Sequence, residues 1–301
     1  MKLKILGCYA ATPRSMTNPS AQVLELRNRL FLIDCGEGTQ MQLRKQKVRF
    51  SKIDHIFISH LHGDHFFGLP GLLSTFKLLG REKELHIYGP KGIKEAVTLM
   101  LKVGDSWTNY DLVFHELESK TSELIFEDDA IAVYTIPLEH RIYTNGYLFK
   151  EKLGERKLNI EEVRKYDIPV CDFQNLKNGK DAVLEDGRII PNTLLTDNPP
   201  HPWSYAYCSD TVYKEDIVPL LQNVKVLYHE STFLESERRL TGKTKHSTAI
   251  DAATIAQKAQ VSQLILGHYS TRYTNLDHFK AEAETVFDHV HLAEDGKEFQ
   301  F

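Results

Sequence analysis

Three histidines and one aspartate fall within the six positions His60-Leu61-His62-Gly63-Asp64-His65. Imidazole nitrogen and carboxylate oxygen at this density are the donors of a metal site. The stretch follows Ile56-Phe57-Ile58, an apolar run that reads as a buried strand, so the motif begins where the chain leaves a sheet edge. His60 and His62 can converge on one ion. Gly63 supplies turn freedom, and Asp64 and His65, opening the next helical segment, point to a second position beside the first. A donor set without thiolate suits zinc, and manganese or iron would accept it too. The competing reading, a solvated His-rich loop, fits a strand-borne H-x-H-x-D-H poorly.

This motif resembles the signature of the metallo-β-lactamase superfamily. The resemblance implies an α/β fold, a four-layer αββα sandwich with a dinuclear site at one sheet edge. It also requires further ligands from distant strand ends.

With 301 residues and 42% hydrophobic content the chain can bury a large core, and length alone allows one or two domains. A run of eighteen apolar residues is absent, as is a charged-then-apolar leader, so the expectation is a cytoplasmic protein with no membrane association. Cys8, Cys35, Cys171 and Cys208 lack C-x-x-C spacing, which argues against a thiolate zinc site and fits a reducing compartment. A formal charge of -4 counts against a generic nucleic-acid coat. Two local basic clusters stand out: Arg44, Lys45, Lys47 and Arg49, then Arg238, Arg239, Lys243 and Lys245. Each reads either as a solvated face or as a phosphate contact.

The elements that must position the site follow from periodicity. Residues 2–6, 22–26 and 30–33 read as an opening β-meander, interrupted by the polar loop Ala10 to Pro19. Asp34, at the end of the third strand, reads as a turn or as support behind the ligands. Helical spacing marks 39–47 and 69–79, a strand covers 85–88, and Gly89-Pro90 opens a helix to about Lys102. Residues 112–117, 124–126 and 131–136 read as consecutive strands of an antiparallel section, the last delivering His140. After a strand at 146–149, residues 150–200 are charged and rich in Gly and Pro, an inserted, partly extended excursion rather than core. Core patterning resumes at 204–208, ending in Asp210, with a helix expected over 212–221. Strands at 224–228 and 261–266 end in His229-Glu230-Ser231-Thr232 and Gly267-His268, and a helix runs from His246-Ser247-Thr248 to about Ala259. Asp210 could bridge two ions, since two-metal hydrolysis holds them ~3.5–4 Å apart. Repeats and heptads are absent. His55, His86, His115, His201, His278, His289 and His291 read as surface or packing residues.

The distant ligands have thus appeared in order, and the match narrows. Leu6-Gly7, the S-H-L-H-G-D-H motif, His229-Glu230-Ser231-Thr232, His246-Ser247-Thr248 and His268-Tyr269-Ser270-Thr271-Arg272-Tyr273 together resemble the ribonuclease Z family, the tRNA 3'-processing endonucleases, in their short bacterial form. The similarity spans the chain, making 1–301 a single metallo-β-lactamase domain with a tRNA-binding arm at about 150–200. It implies two zinc ions per subunit, one on His60, His62, His140 and Asp210, the other on Asp64, His65, Asp210 and His268. Such ions lower the pKa of water and neutralise charge on a phosphodiester. By the same resemblance Asp64 accepts the water's proton, while His246, oriented by Glu230, protonates the departing 3'-oxygen. Arg272 and the segment carrying Arg238, Arg239, Lys243 and Lys245 would hold flanking phosphates. The implied partners are precursor tRNA and a second copy of the chain. Two departures from the family pattern stand out. Asp167 to Asp172 replaces a Gly-Pro-rich arm tip, and Ser15 and Thr17 stand in Pro13 to Asn18 where basic residues are usual. The rival readings are a phosphodiesterase or exoribonuclease of the same superfamily acting on non-tRNA substrates, or an RNA-binding relative without activity. The second would have lost ligands or His246, and all are present.

Overall fold

The computed structural model describes residues 1–12 and 14–301; Pro13, in the loop singled out above, lies outside the described residues. The strands β1 (Lys2–Gly7), β2 (Ala21–Leu26), β3 (Arg29–Ile33), β4 (Ile53–Phe57), β5 (Leu85–Pro90) and β6 (Leu112–Leu117) lie side by side in that order. A second sheet opens with β7 (Leu124–Glu127), β8 (Ile131–Pro137) and β9 (Asn145–Glu151). The short strands β10 (Lys157–Leu158), β11 (Ala182–Val183), β12 (Ile189–Ile190) and β13 (Thr196–Asp197) belong to an excursion between the sheet strands. β14 (Ser204–Cys208), β15 (Val226–Glu230), β16 (Gln263–Gly267) and β17 (Val290–Leu292) complete the second sheet, and β18 (Glu298–Gln300) returns to pair with β1.

Side chains alternate across a strand, so each sheet has two faces to bury. In β3, Phe31 and Ile33 enter the core between the sheets, whereas Leu32 joins the core beneath the outer helices. Phe31, Phe57 and Phe149 meet at ring separations of 5.2–6.0 Å in the inner layer. Helices Thr39–Lys45, Leu69–Leu78 and Ile93–Val103 cover the first sheet, and Ala249–Lys258 with Asp277–Ala283 covers the second. The result is the expected four-layer α/β sandwich. Helix Ala249–Lys258 starts on a capping box, with Thr248 and Asp251 each accepting the other's backbone N–H.

Three expectations change. Residues 112–117 pair parallel with β5 in the first sheet, while 124–127 and 131–137 pair antiparallel in the second. The chain therefore crosses between layers near Ser119, a step that periodicity does not mark. Residues 215–221 form a 3-10 segment around Pro219 rather than an α-helix, because proline removes a backbone donor. The excursion after β9 is folded: Val163, Ile168, Leu176 and Leu195 bury together as a small core of their own. It leaves and returns at one point, where Glu151 N–H donates to Trp203 O at 2.9 Å.

His55, half-buried, packs against Phe31, His86 and Phe126, and its Nδ1 has no partner among the described residues. Burial, reinforced by His86, lowers its pKa from 6.5 to about 4. Between those values the unfolded chain binds the extra proton and the folded one does not. Its contribution is therefore complete above pH 6.5 and is lost as pH falls. Urea titrations from pH 7 to 4 should show stability falling by roughly 2–3 kcal/mol more in wild type than in His55→Phe.

Candidate metal centre and active site

The loops that carry polar residues begin where strands stop. Asp34 follows β3, Asp210 follows β14 and His268 follows β16, with φ of 56°, 59° and 57°. A left-handed conformation costs a non-glycine residue of order 1 kcal/mol or more, and it persists only where surrounding contacts fix it. Here those contacts are buried hydrogen bonds.

Two donor groups meet at Asp210, which is only 2% exposed. His60, His62, His140 and Asp210 offer ligand atoms within 4.8 Å of one another, as do Asp64, His65 and His268. Asp210 Oδ2 lies 3.6 Å from both His60 Nε2 and His140 Nε2. Its Oδ1 lies 3.1 Å from both His65 Nε2 and His268 Nε2. One carboxylate thus presents an oxygen to each group. Asp64 Oδ2 completes the second, 3.4 Å from His65 and 3.5 Å from His268. Burial would raise the Asp64 pKa, but His65 and His268 outweigh it and hold the carboxyl well below the usual range.

The far side of each ring sets its tautomer. His65 Nδ1–H donates to Asp34 at 2.7 Å, and His140 Nδ1–H donates to Lys245 O at 2.8 Å. Ser59 Oγ donates to Asp34 and accepts from His60 Nδ1–H at 3.0 Å. Thr232 Oγ1 donates to Glu230 and accepts from His268 Nδ1–H at 2.9 Å. Four imidazoles therefore aim Nε2 lone pairs inward, alongside two carboxylates. The fifth ring, His62, brings Nδ1 to 2.9 Å from His60 Nε2 and 3.2 Å from His140 Nε2. Nitrogen and carboxylate donors converging this closely fit cations, and a set without thiolate favours a hard or borderline ion.

Glu230, fully buried, joins three loops. It accepts from Thr211 N–H at 2.7 Å, Ser247 N–H at 3.1 Å and His246 Nδ1–H at 2.9 Å. Burial alone would lower the His246 pKa, but Glu230 and Asp210 outweigh it and raise it to about 9. A cationic imidazole beside the donor cluster can give a proton. Beside Asp64, a cavity of ≈ 460 Å³ opens between Gly63, Phe67 and residues 9–12 and 17–19 of the loop after β1. Asp295 pins both ends of that loop, accepting from Cys8 N–H at 3.2 Å and from Asn18 N–H at 2.7 Å.

The basic residues divide. Arg238 is engaged by Glu235 and by Asp251 at 2.8 Å, so it anchors its own segment and is not free for phosphate. Lys245 pairs with Glu139 at 2.8 Å. Arg239 and Arg272 lie 3.5 and 3.8 Å from the Glu237 carboxylate, looser contacts than that of Arg238, and with Lys243 they remain exposed; Arg272 also stacks over Phe233 at 5.2 Å. Sequence reasoning missed Ser59, Tyr207 and the carbonyl of Lys245. Tyr207 O–H donates to Asp34 at 2.7 Å, and hydroxyl or backbone donors of this kind leave no spacing signal.

A sandwich of two seven-stranded sheets with His and Asp side chains gathered at one edge defines a metallo-β-lactamase fold protein with a cluster of metal-binding type. The structure superposes on the short form of human tRNase Z with a TM-score of 0.73 at 28% identity, covering 100% of this chain and 99% of that one. It also superposes on YhfI, a metallo-β-lactamase fold protein of Bacillus subtilis, with a TM-score of 0.69 at 19% identity, covering 99% and 98% of the two chains. Among sequence relatives, a ribonuclease Z of Bacteroides fragilis is 47% identical over 295 residues, 98% of this chain and 97% of its own. That of Parabacteroides distasonis is 45% identical over 294 residues, 98% and 97% of the two chains. A family model described as anti-Pycsar protein Apyc1 matches residues 1–148. The chain belongs to the ribonuclease Z family.

Because Asp34 orients His65 and, through Ser59, His60, Asp34→Asn should weaken metal binding by roughly 10–100-fold in chelator competition. Unchanged affinity would show that these rings hold their orientation without it.

Proposed function

We propose that this member of the ribonuclease Z family removes the 3' trailer from precursor tRNA as a metal-dependent endoribonuclease, leaving a 3'-hydroxyl on the tRNA and a 5'-phosphate on the trailer. One observation carries the reading: identity of 45–47% to ribonuclease Z chains over nearly full length, with the cluster and the His246–Glu230 pair side by side.

Two zinc ions per subunit are inferred, one on His60, His62, His140 and Asp210, the other on Asp64, His65, Asp210 and His268. When bound, they supply Lewis acidity, making water a better nucleophile and offsetting phosphodiester charge. The side chains do the rest. Asp64, held ionised, takes the proton of the attacking water as its oxygen bonds to phosphorus. The bond from phosphorus to the 3'-oxygen breaks, and that oxygen receives the His246 proton. Glu230 keeps the His246 ring oriented and charged. The cavity between Phe67 and residues 9–12 and 17–19 is suited to hold the RNA end. Arg239, Lys243 and Arg272 are assigned to flanking phosphates.

The excursion after β9 is inferred to be the arm that grips tRNA, its own small core letting it act as a rigid lever. A homodimer is inferred as well. Adjoining outer helices and their ends expose Leu78, Leu79, Leu99, Met100 and Val103, an apolar patch suited to a second copy. The chain has no helix long and apolar enough to cross a membrane among the described residues, and its four cysteines are free thiols. We place it in the cytoplasm.

Cleavage of a 3'-extended precursor with the product end mapped tests the reading, with metal content measured on the same samples. Asp64→Ala should abolish the single cut after the discriminator base. His246→Ala should slow it roughly 10²–10⁴-fold yet barely affect bis(p-nitrophenyl) phosphate, whose leaving group needs no proton. Equal losses on both substrates would remove His246 from the acid role. Replacing residues 152–202 by a short turn should abolish precursor cleavage and spare the small diester; retained precursor cleavage would refute the arm assignment.

A further inference from the structure

The first basic cluster of the sequence has no part in the site above, yet the fold gives it a shape. Lys47, Arg49 and Lys52 follow helix Thr39–Lys45 and stand over the outer face of the first sheet, where Lys2 and Lys4 project from β1. Together they rim a cavity of ≈ 290 Å³ floored by Val23, Leu30 and Val48. That volume lies near the lower end of the ~300–1,000 Å³ usual for small-molecule sites. Lys52 immediately precedes β4, and the ligand motif follows the other end of that strand. At ~3.3 Å per residue the cavity is therefore roughly 20 Å from the metal cluster.

The charge is concentrated, and four of the five cations are unpaired among the described residues. Lys4 pairs with Glu298 at 2.7 Å. Lys2, Lys47, Arg49 and Lys52 have neither an ion pair nor a side-chain hydrogen bond among the described residues. Among the described residues Glu25 is the single carboxylate on the cavity wall, facing Lys2 across the ladder without an ion pair. Lys47 is held in the left-handed region at φ 54°, directing the chain back over the cavity after the helix ends. All this sits on a chain whose formal charge is -4. A solvated basic face is normally interleaved with acids, whereas four free cations around a concave apolar floor match an anion with a flat apolar body.

We infer that this cavity is a second binding site, separate from the metal centre, for a phosphate-bearing ligand of mononucleotide size, with the base on the apolar floor and phosphate on the basic rim. The ligand's chemistry has two sources: a free nucleotide, or one nucleotide of an RNA chain bound across the outer sheet face.

The experiment uses the purified metal-loaded protein and two double variants, Lys47→Glu with Arg49→Glu and the milder Lys47→Gln with Arg49→Gln. Binding of fluorescent adenosine diphosphate is read by anisotropy, and precursor tRNA cleavage is read as KM against salt. Hydrolysis of bis(p-nitrophenyl) phosphate should be the same in all three proteins, which separates this site from the centre where the diphosphate could also bind. Removing two cations from the rim should weaken diphosphate binding roughly tenfold or more. If precursor KM is unchanged, the ligand is a free nucleotide. If KM also rises and the slope of log affinity against log salt falls by ~0.7–0.9 for each phosphate no longer neutralised, the phosphate belongs to RNA. Diphosphate binding, precursor KM and salt slope all unchanged in both variants overturn the site, while the assignment of tRNA processing stands on its own tests.

Discussion

The Asp210 carboxylate is almost fully buried, and everything at the catalytic edge is arranged around that fact. A buried anion is tolerated only when cations and donors surround it closely. Five imidazoles face it here, but four of them have rim hydrogen bonds that turn lone pairs rather than protons toward the centre, so they do not by themselves neutralise it. Such a ring repels itself unless positive charge enters it. The same feature that would destabilise an empty core makes a strong cation site, and the cluster is best understood as a binding energy stored in the fold.

Holding that ring costs backbone strain, and the sandwich supplies the rigidity to keep it. Asp34, Asp210 and His268 all turn left-handed at strand ends. Their strands lie deep in two packed sheets, so the turns are fixed by neighbours on both sides. Glu230 then ties the loop after β14 to the loop before helix Ala249–Lys258, using one buried carboxylate to align Thr211, His246 and Ser247. Gly68 shows how close this assembly is: a Cβ there would meet the Gly36 carbonyl oxygen at 2.0 Å. The helix that follows the ligand motif can lie against the Asp34 loop only because Gly68 has no side chain.

Distance from this edge decides what else the molecule can be asked to do. The excursion after β9 buries its own small core and returns to the strand it left, so it can move or be recognised without disturbing the ligands. The basic cavity lies at the opposite end of the first sheet, on the face the outer helices leave open. Among the described residues neither shares a buried residue with the His and Asp cluster, and this separation lets binding and chemistry be altered independently.

Four of the proposed ligand residues were legible in the sequence because each follows the end of a strand, and strands announce themselves by alternation. His60, His140, Asp210 and His268 are such cases, and the resemblance of their motifs to a known family assigned them a common purpose. Apolar periodicity also marked most of the strands and outer helices as far as β16, since it reports the face each residue buries, but it left β17, β18, helix Asp277–Ala283 and the elements of the excursion unread. It did not reveal that 112–117 and 124–127 belong to different sheets, because a chain crossing between layers keeps the same alternation in both. Nor did it reveal that the charged excursion folds, since six buried apolar side chains are too few to stand out among its polar residues. Only the tertiary structure decided which Asp210 oxygen faces which histidines, that Arg238 is consumed by Glu235 and Asp251, and that Lys2 joins Lys47 and Arg49 around one cavity. Those are relations between residues far apart in the chain, and their physical basis is packing, which no local spacing encodes.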